Sequence, residues 1–386
     1  MSVVNRLAQP TGPIRVLQFA DIVNRHDFID TIVQRADPAR FNIGVCVRSS
    51  ECNIAAPLYL ERTSRWVLNG AARTSIPWTA CRLARLLKRW RADILHVHHY
   101  DQAVIGWLAT RIYPRTRLVV GRHYSDAIYR SSSGAKQRTL LAIERIVNRA
   151  AARIVVPSEY IRDILVNRQS VDPKKVVDIP YGFVSEKYSA PQAHDIGRIR
   201  EELGLSGRFV LGNFSRLHEE KGQRYLIEAM AMLRSRLAGI VLLIVGEGPE
   251  RRSLERGIQE KGLGGVVRLL GWRRDAMTIM TAVDAVVQPT LQEAFSQVMA
   301  ESLWMSKPLV ITDVSGAQDI ITDGRNGLLV AKADPVGLAN AVERLFYDDQ
   351  LRASLGIAGR AYVEENLAID RIIPRHEQVY QRLIEA

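Results

Sequence analysis

Short apolar runs rich in Val and Ile recur along the chain, and each is followed by a stretch of helical period. In the first half the runs fall at 14–19 (IRVLQF), 41–47, 94–97, 117–121, 153–156 and 176–179. Helical patterns at 26–36, 77–91, 102–112, 137–150 and 159–166 separate them. The second half repeats the rhythm, with strands expected at 208–214, 240–245, 266–270, 284–288 and 308–312. Runs this short, without polar alternation, need apolar cover on both faces, as in a parallel sheet sandwiched by helices. Alternating β and α of this kind predicts doubly wound α/β folding. Between about 183 and 207 the pattern lapses into polar, irregular text. The expected division is therefore a domain at 1–190, a linker at 191–207, a domain at 208–365 and a C-terminal helix at 366–386 crossing back to the first domain. Pro374 is expected to kink or interrupt that helix. Two Rossmann-like domains facing across a cleft are the expected architecture.

Composition alters the picture in one respect. A length of 386 residues suits two domains, and 47% apolar and 24% charged residues are ordinary for a globular chain. The balance of 53 Lys+Arg against 41 Asp+Glu, net +12, is not ordinary. It favours a polyanionic neighbour: nucleic acid, an anionic membrane face or a phosphorylated substrate. Aromatic-interleaved basic patches of RNA-binding type are not evident, so nucleic acid is not expected. Residues 78–91 (WTACRLARLLKRWR) place Leu83, Leu87 and Trp90 on one stripe and Arg82, Arg85 and Arg89 on another. Such a helix packs its leucines on the sheet and offers its arginines to water or to anionic lipid. With no 18-residue apolar run and no N-terminal signal pattern, the chain reads as cytoplasmic, at most peripheral on the inner face of a membrane. Cys46, Cys52 and Cys81 form neither a disulfide framework nor a zinc pattern.

Candidate chemistry gathers where the second-half strands end, the edge at which open α/β sheets bind ligands. After 208–214 comes Ser215-Arg216-Leu217-His218-Glu219-Glu220-Lys221-Gly222, where Arg216 and Lys221 can grip a diphosphate. After 284–288 comes Gln288-Pro289-Thr290-Leu291-Gln292-Glu293-Ala294-Phe295-Ser296, then a helix. Amides near Phe295 to Val298 can face an anion, and Glu293 and Glu301 can accept hydrogen bonds from sugar hydroxyls. Neither G-x-G-x-x-G nor a P-loop is present; Gly246-Glu247-Gly248-Pro249 is the nearest approach. No Asp-x-Asp follows a strand, so neither metal nor cofactor is expected. His96, His98 and His99 sit at a strand end, with an acceptor contact expected for His98 or His99.

The series SRLHEEKG, VGEGPE, LGW, DAVVQPT, EAFSQVMAE, KPLVITDVSGAQDII and DGRNGLLV, in register over 208–350, resembles the retaining family-4 glycosyltransferases of the GT-B fold. DILHVHHYDQA, VVPSEYIRDIL and VVDIPYGF extend the resemblance more loosely into the first half. It implies transfer of a sugar, of hexose type, from a nucleoside diphosphate-sugar donor to a glycan or lipid-linked hydroxyl, with retention and without metal. Arg216 and Lys221 match the pair that holds the donor diphosphate. Glu293 matches the residue near the transferred sugar, and Glu301 the carboxylate on the donor ribose. Phe295, Ser296 and Gln297 align with the backbone that approaches sugar and phosphate, and His123 with a histidine facing the reacting sugar. Gly246 and Gly248 would shape the nucleotide wall, with Trp272 and Arg273 near the base. The chain departs from the pattern at Ala20-Asp21-Ile22-Val23, where a Gly-Gly loop is common, and at Tyr181, Ser296 and Ala317. A nucleotide-sugar epimerase or hydrolase, or a non-catalytic sugar-nucleotide-binding subunit, would need the same diphosphate grip and stays open as an alternative.

Overall fold

The computed structural model describes residues 12–20, 27–48, 64–68, 75–123, 134–188, 192–293 and 295–385. The chain forms two compact units: unit one is Met1–Gly182 with Asp370–Ala386, and unit two is Phe183–Ile369.

Among the described residues unit one holds a seven-stranded, wholly parallel sheet in the order β3-β2-β1-β4-β5-β6-β7. The strands are β1 (Ile14–Ala20), β2 (Phe41–Val47), β3 (Arg65–Val67), β4 (Ile94–His98), β5 (Arg117–Gly121), β6 (Arg153–Val156) and β7 (Val176–Asp178). Central β1 pairs with β2 (Ile14 opposite Phe41) and with β4 (Val16 opposite Ile94). Covered on both faces, Val16, Leu17, Phe19, Ile94, Leu95 and Val97 are fully buried, as their unbroken apolar runs require. Helix Ile76–Trp90 buries Ala80, Leu83 and Leu87 and ends at Arg91 in a left-handed cap. The C-terminal helix, Ile369–Glu385, runs through Pro374 without interruption. Only its second turn loses a donor there, and Ile372, Ile373, Val379, Tyr380 and Leu383 are buried along its length.

Unit two holds six parallel strands among the described residues, in the order β10-β9-β8-β11-β12-β13. They are β8 (Phe209–Phe214), β9 (Ile240–Val245), β10 (Val267–Gly271), β11 (Ala285–Gln288), β12 (Leu309–Thr312) and β13 (Leu328–Val330). The segment read as the linker 191–207 is instead a helix, Ala193–Glu202, within unit two. Its buried Ile199, with Leu205 just beyond, anchors it, and Arg200 ties it down through the Ala282 and Arg208 carbonyls.

In each sheet one pair of neighbours, β1/β4 and β8/β11, is the point where the strand order reverses. Connections leave such a pair in opposite directions, so a crevice opens at its carboxyl end. The chemistry-bearing loops of both units begin there.

Candidate functional site

In unit two, the loops after β8 and β11 are drawn together by a residue without a side chain. Gly222 has φ +67°, and a Cβ at that position would lie 2.0 Å from the Pro289 carbonyl oxygen. The Leu291 amide donates to Glu220 O at 2.8 Å across the same contact. Buried Asn213 donates to Val287 O at 2.8 Å, pinning the two strand ends. The result is an ion pair between Lys221 Nζ and Glu293 Oε2, with the side chains 14% and 22% exposed. Burial raises the Glu293 pKa above the ordinary carboxylate value, and the adjacent Lys221 charge pulls it part of the way back.

Arg216 lies on the same loop but stays largely in water, paired with Glu220 at 3.2 Å. Gly246 and Gly248 press the loop after β9 onto it. A Cβ on Gly246 would meet Ser215 O at 1.9 Å, and one on Gly248 would meet Leu217 O at 2.2 Å. Leu217 N and Glu247 O, 2.9 Å apart, complete that seam.

Helix Gln297–Trp304 starts beside Glu293. Ser296 caps it, its hydroxyl accepting from Met299 N at 3.2 Å with an ordinary extended backbone. No glycine is needed at 296, and serine adds a cap. The first-turn amides of Gln297 and Val298 have no carbonyl of their own helix to bond, and they carry the positive end of its dipole. Phe295 is buried and Gln297 exposed. Glu301, just over one turn along, accepts from Tyr188 Oη at 2.8 Å. Tyr188, which the motif reading did not single out, stacks on Phe183 at 4.8 Å. Trp272 is largely exposed. Arg273 is committed elsewhere: Asp275 holds it through two bonds of 2.8 Å and Glu202 through one of 3.0 Å, which raises its pKa further.

In unit one, a chain of buried and half-buried polar groups crosses the carboxyl edge of the sheet. His123 Nδ1 bonds the Tyr181 hydroxyl, and His123 Nε2 lies 2.7 Å from His98 Nδ1. His98 Nε2 lies 2.8 Å from Gln18 Oε1, Gln18 Nε2 3.0 Å from Tyr380 Oη, and Tyr380 Oη 2.8 Å from His96 Nδ1. One proton arrangement satisfies every link. Tyr181 donates to His123, His123 to His98, His98 to Gln18, Gln18 to Tyr380 and Tyr380 to His96. With the Gln18 amide as placed, each imidazole then accepts at Nδ1 and carries a proton on Nε2. Burial agrees, pushing the His96 pKa down to about 3. Gly121 makes the room: a Cβ there would lie 2.8–3.1 Å from ring nitrogens of His123, His98 and His96.

The acceptor contact expected at His98 has no support in this arrangement, because the ring is fully buried and both nitrogens are bonded. His99 is half-buried at φ +70°, before helix Tyr100–Ile112. The departures at Asp21, Ile22 and Val23 lie outside the described residues. Among the described residues no cluster of three or more His, Cys, Asp or Glu has a metal-holding arrangement.

Residues 208–348 match the signature described as "Glycosyl transferases group 1", and residues 28–187 that of "Glycosyltransferase Family 4". Over 293 residues the chain is 31% identical to the alpha-D-kanosaminyltransferase of Streptomyces kanamyceticus, covering 73% of this chain and 75% of that one. The chain belongs to the family-4 glycosyltransferases. Another relative of this glycosyltransferase is the UDP-Gal:alpha-D-GlcNAc-diphosphoundecaprenol alpha-1,3-galactosyltransferase of Escherichia coli, 27% identical over 274 residues and 70% of either chain. The fold is that of solved GT-B structures. HepE of Anabaena, crystallised in complex with UDP, superimposes with TM-score 0.82 at 22% identity over 96% of this chain and all of that one. Sucrose-phosphate synthase of Thermosynechococcus elongatus gives 0.76 at 20% identity, over 96% of this chain and 99% of that one.

Proposed function

We propose that this glycosyltransferase moves a hexose from a nucleoside diphosphate donor to a hydroxyl of a glycan or lipid-linked acceptor, retaining the anomeric configuration and using no metal. The observation that carries the reading is the Lys221–Glu293 pair set beside a capped helix N-terminus at the strand-order reversal of unit two.

The chemistry follows from charge. A departing nucleoside diphosphate accumulates negative charge, and groups fixed in place before the reaction stabilise it most. Lys221, Arg216 and the amides at Gln297 and Val298 are assigned that role. Glu293 is assigned to the transferred sugar, and Glu301, steadied by Tyr188, to the ribose hydroxyls. Phe295 and Ser296 provide the backbone against sugar and phosphate, Gly246 and Gly248 the nucleotide wall, and Trp272 a face for the base. Arg273 serves that wall indirectly, by fixing the loop through Asp275 and Glu202. His123 is kept as the unit-one contact to the reacting sugar, as a ring bonded at both nitrogens rather than a free proton shuttle. His99 is the remaining acceptor candidate.

A uridine donor is the first to test, because HepE was solved with UDP and the galactosyltransferase relative is named for UDP-Gal. Thermal shift with UDP-, GDP- and ADP-sugars should single out one base through mass-action stabilisation. Product NMR then reads the anomeric configuration, and turnover should survive EDTA. Lys221→Ala should weaken donor binding and turnover, and Glu293→Ala should lower turnover more than nucleoside diphosphate affinity. Full turnover from the double variant would overturn the assignment. Complete consumption of donor without acceptor would favour an epimerase or hydrolase.

A further inference from the structure

The excess positive charge belongs to one unit. Unit one has 31 Lys+Arg and 17 Asp+Glu, net +14; unit two has 22 and 24, net −2. In unit two acidic residues balance the basic ones, and several surface arginines are paired locally, as in Arg251 with Glu247 and Glu255, or Arg360 with Glu364. Part of the unit-one excess gathers in one place. A cavity of about 1020 Å³ is lined by Arg85, Lys88, Arg89, Arg91, Arg115 and Arg117. None of the six forms an ion pair among the described residues. The cavity's lining carboxylate, Asp93, accepts the Arg15 amide at 2.8 Å.

This cavity lies where helix Ile76–Trp90 ends and where β4 and β5 begin. His98 and Gly121 close those same strands, so the cavity is at the opposite edge of the sheet from the histidine chain. Cations at a helix C-terminus suit its dipole, as at Arg89 and Arg91 and, after helix Tyr100–Ile112, at Arg115; Arg117, the first residue of β5, has no such reason to be there. Arg91 holds a charge at φ +55°, where glycine would be less strained.

A second feature of the same helix indicates what covers the cations. Trp78, Arg82, Arg85 and Arg89 recur at i, i+4, i+7 and i+11 on one face, while Leu83 and Leu87 are buried on the other. Trp78 is 50% exposed, with the Arg82 guanidinium 4.6 Å over its ring. Ile112, 56% exposed, ends the helix packed alongside, three residues before Arg115. A soluble polyanion would be held by the cations alone. Cations interleaved with an exposed indole and an aliphatic side chain match a bilayer surface, where aromatic rings sit at headgroup depth.

We propose that this face of unit one docks on an anionic phospholipid bilayer, with lipid phosphates entering the Arg85–Arg117 cavity and Trp78 seated between headgroups. It goes beyond the transfer reaction and stands or falls independently of it. The test is co-sedimentation of the full chain with phosphatidylcholine vesicles, with and without phosphatidylglycerol. The chain should bind the anionic vesicles and release in about 0.5 M salt, where the Debye length shrinks to a few ångströms. A triple Arg85→Gln, Arg89→Gln, Arg115→Gln variant should lose roughly fivefold in partitioning per cation, about 100-fold in all. Its unfolding midpoint should match the parent's, since these side chains hold no internal partner. Trp78→Ser should weaken binding while keeping the salt dependence. Equal partitioning of parent and triple variant, or equal binding to phosphatidylcholine alone, would overturn the proposal. So would capture of inorganic tripolyphosphate without any preference for vesicles, which would make the cavity a soluble-anion site.

Discussion

Replacing Lys221 with methionine keeps the length of the side chain and removes its charge. The ammonium sits against Glu293 with both groups largely covered. Burial already raises the Glu293 pKa; Lys221 opposes this by charge and hydrogen bond, Glu220 reinforces it and Arg216 weakly opposes it. Without Lys221 the folded-state pKa climbs further. An exposed pair is worth up to about 1 kcal/mol, and breaking a fully buried one costs about 3–5 kcal/mol. This partly covered pair lies between, at about 2 kcal/mol near neutral pH by the same two limits. The pH dependence has a definite sign. A carboxyl group with a raised folded-state pKa takes up a proton on folding, so its adverse effect is absent below the unfolded value and grows as pH rises toward the folded value. Lys221→Met extends that window upward. Urea unfolding should therefore show a loss of about 2 kcal/mol at pH 7.5 and a smaller loss at pH 5, closer to the range in which the carboxyl group takes up its proton. Adding Glu293→Gln should recover most of the neutral-pH loss, because no buried charge is then left alone. An equal loss at both pH values, or no recovery in the double variant, would refute the reasoning.

Three further outcomes follow from the same geometry. Gly121→Ala pushes a methyl group into three imidazoles and should cost about 1–3 kcal/mol in urea unfolding, with altered histidine NMR shifts. His96 is buried neutral with a pKa of about 3, so the unfolded chain takes up the proton first and stability drops as pH falls below about 6.5. By pH 5 the drop should reach about 2 kcal/mol, and His96→Gln should flatten that part of the pH–stability curve. Tyr188→Phe removes the hydroxyl bonded to Glu301 at 2.8 Å; a hydrogen bond to a charged group is worth about 1.5–3 kcal/mol. Calorimetric titration with UDP should show weaker binding, and the unfolding midpoint should fall by the amount that lost bond implies.

The strands were legible in the sequence because burial on both faces leaves an unmistakable mark, an uninterrupted run such as ILHV or IVLLIV. β3 and β13, three residues each, were not read as strands, whereas the equally short β7 was read as part of the run 176–179. Helix Ala193–Glu202 escaped detection because it buries little besides Ile199, so its sequence reads as polar loop. The unit-two loops were legible for a different reason: Lys221, Glu293 and Ser296 lie in the loops that follow β8 and β11, so strand direction alone puts them at the carboxyl edge of the sheet.

What the amino-acid order determined by itself was therefore local: two successive α/β rhythms, the strand ends and the polar residues attached to them. What only the tertiary structure decided is which of those residues meet. Gln18 and Tyr380 bond across 362 positions, Arg273 turns to Asp275 and Glu202, and six cations separated along the chain line one cavity. Periodicity records whether a side chain is buried. The identity of its partner depends on sheet order and on the gaps left by glycines such as Gly121 and Gly222, which no short stretch of sequence encodes.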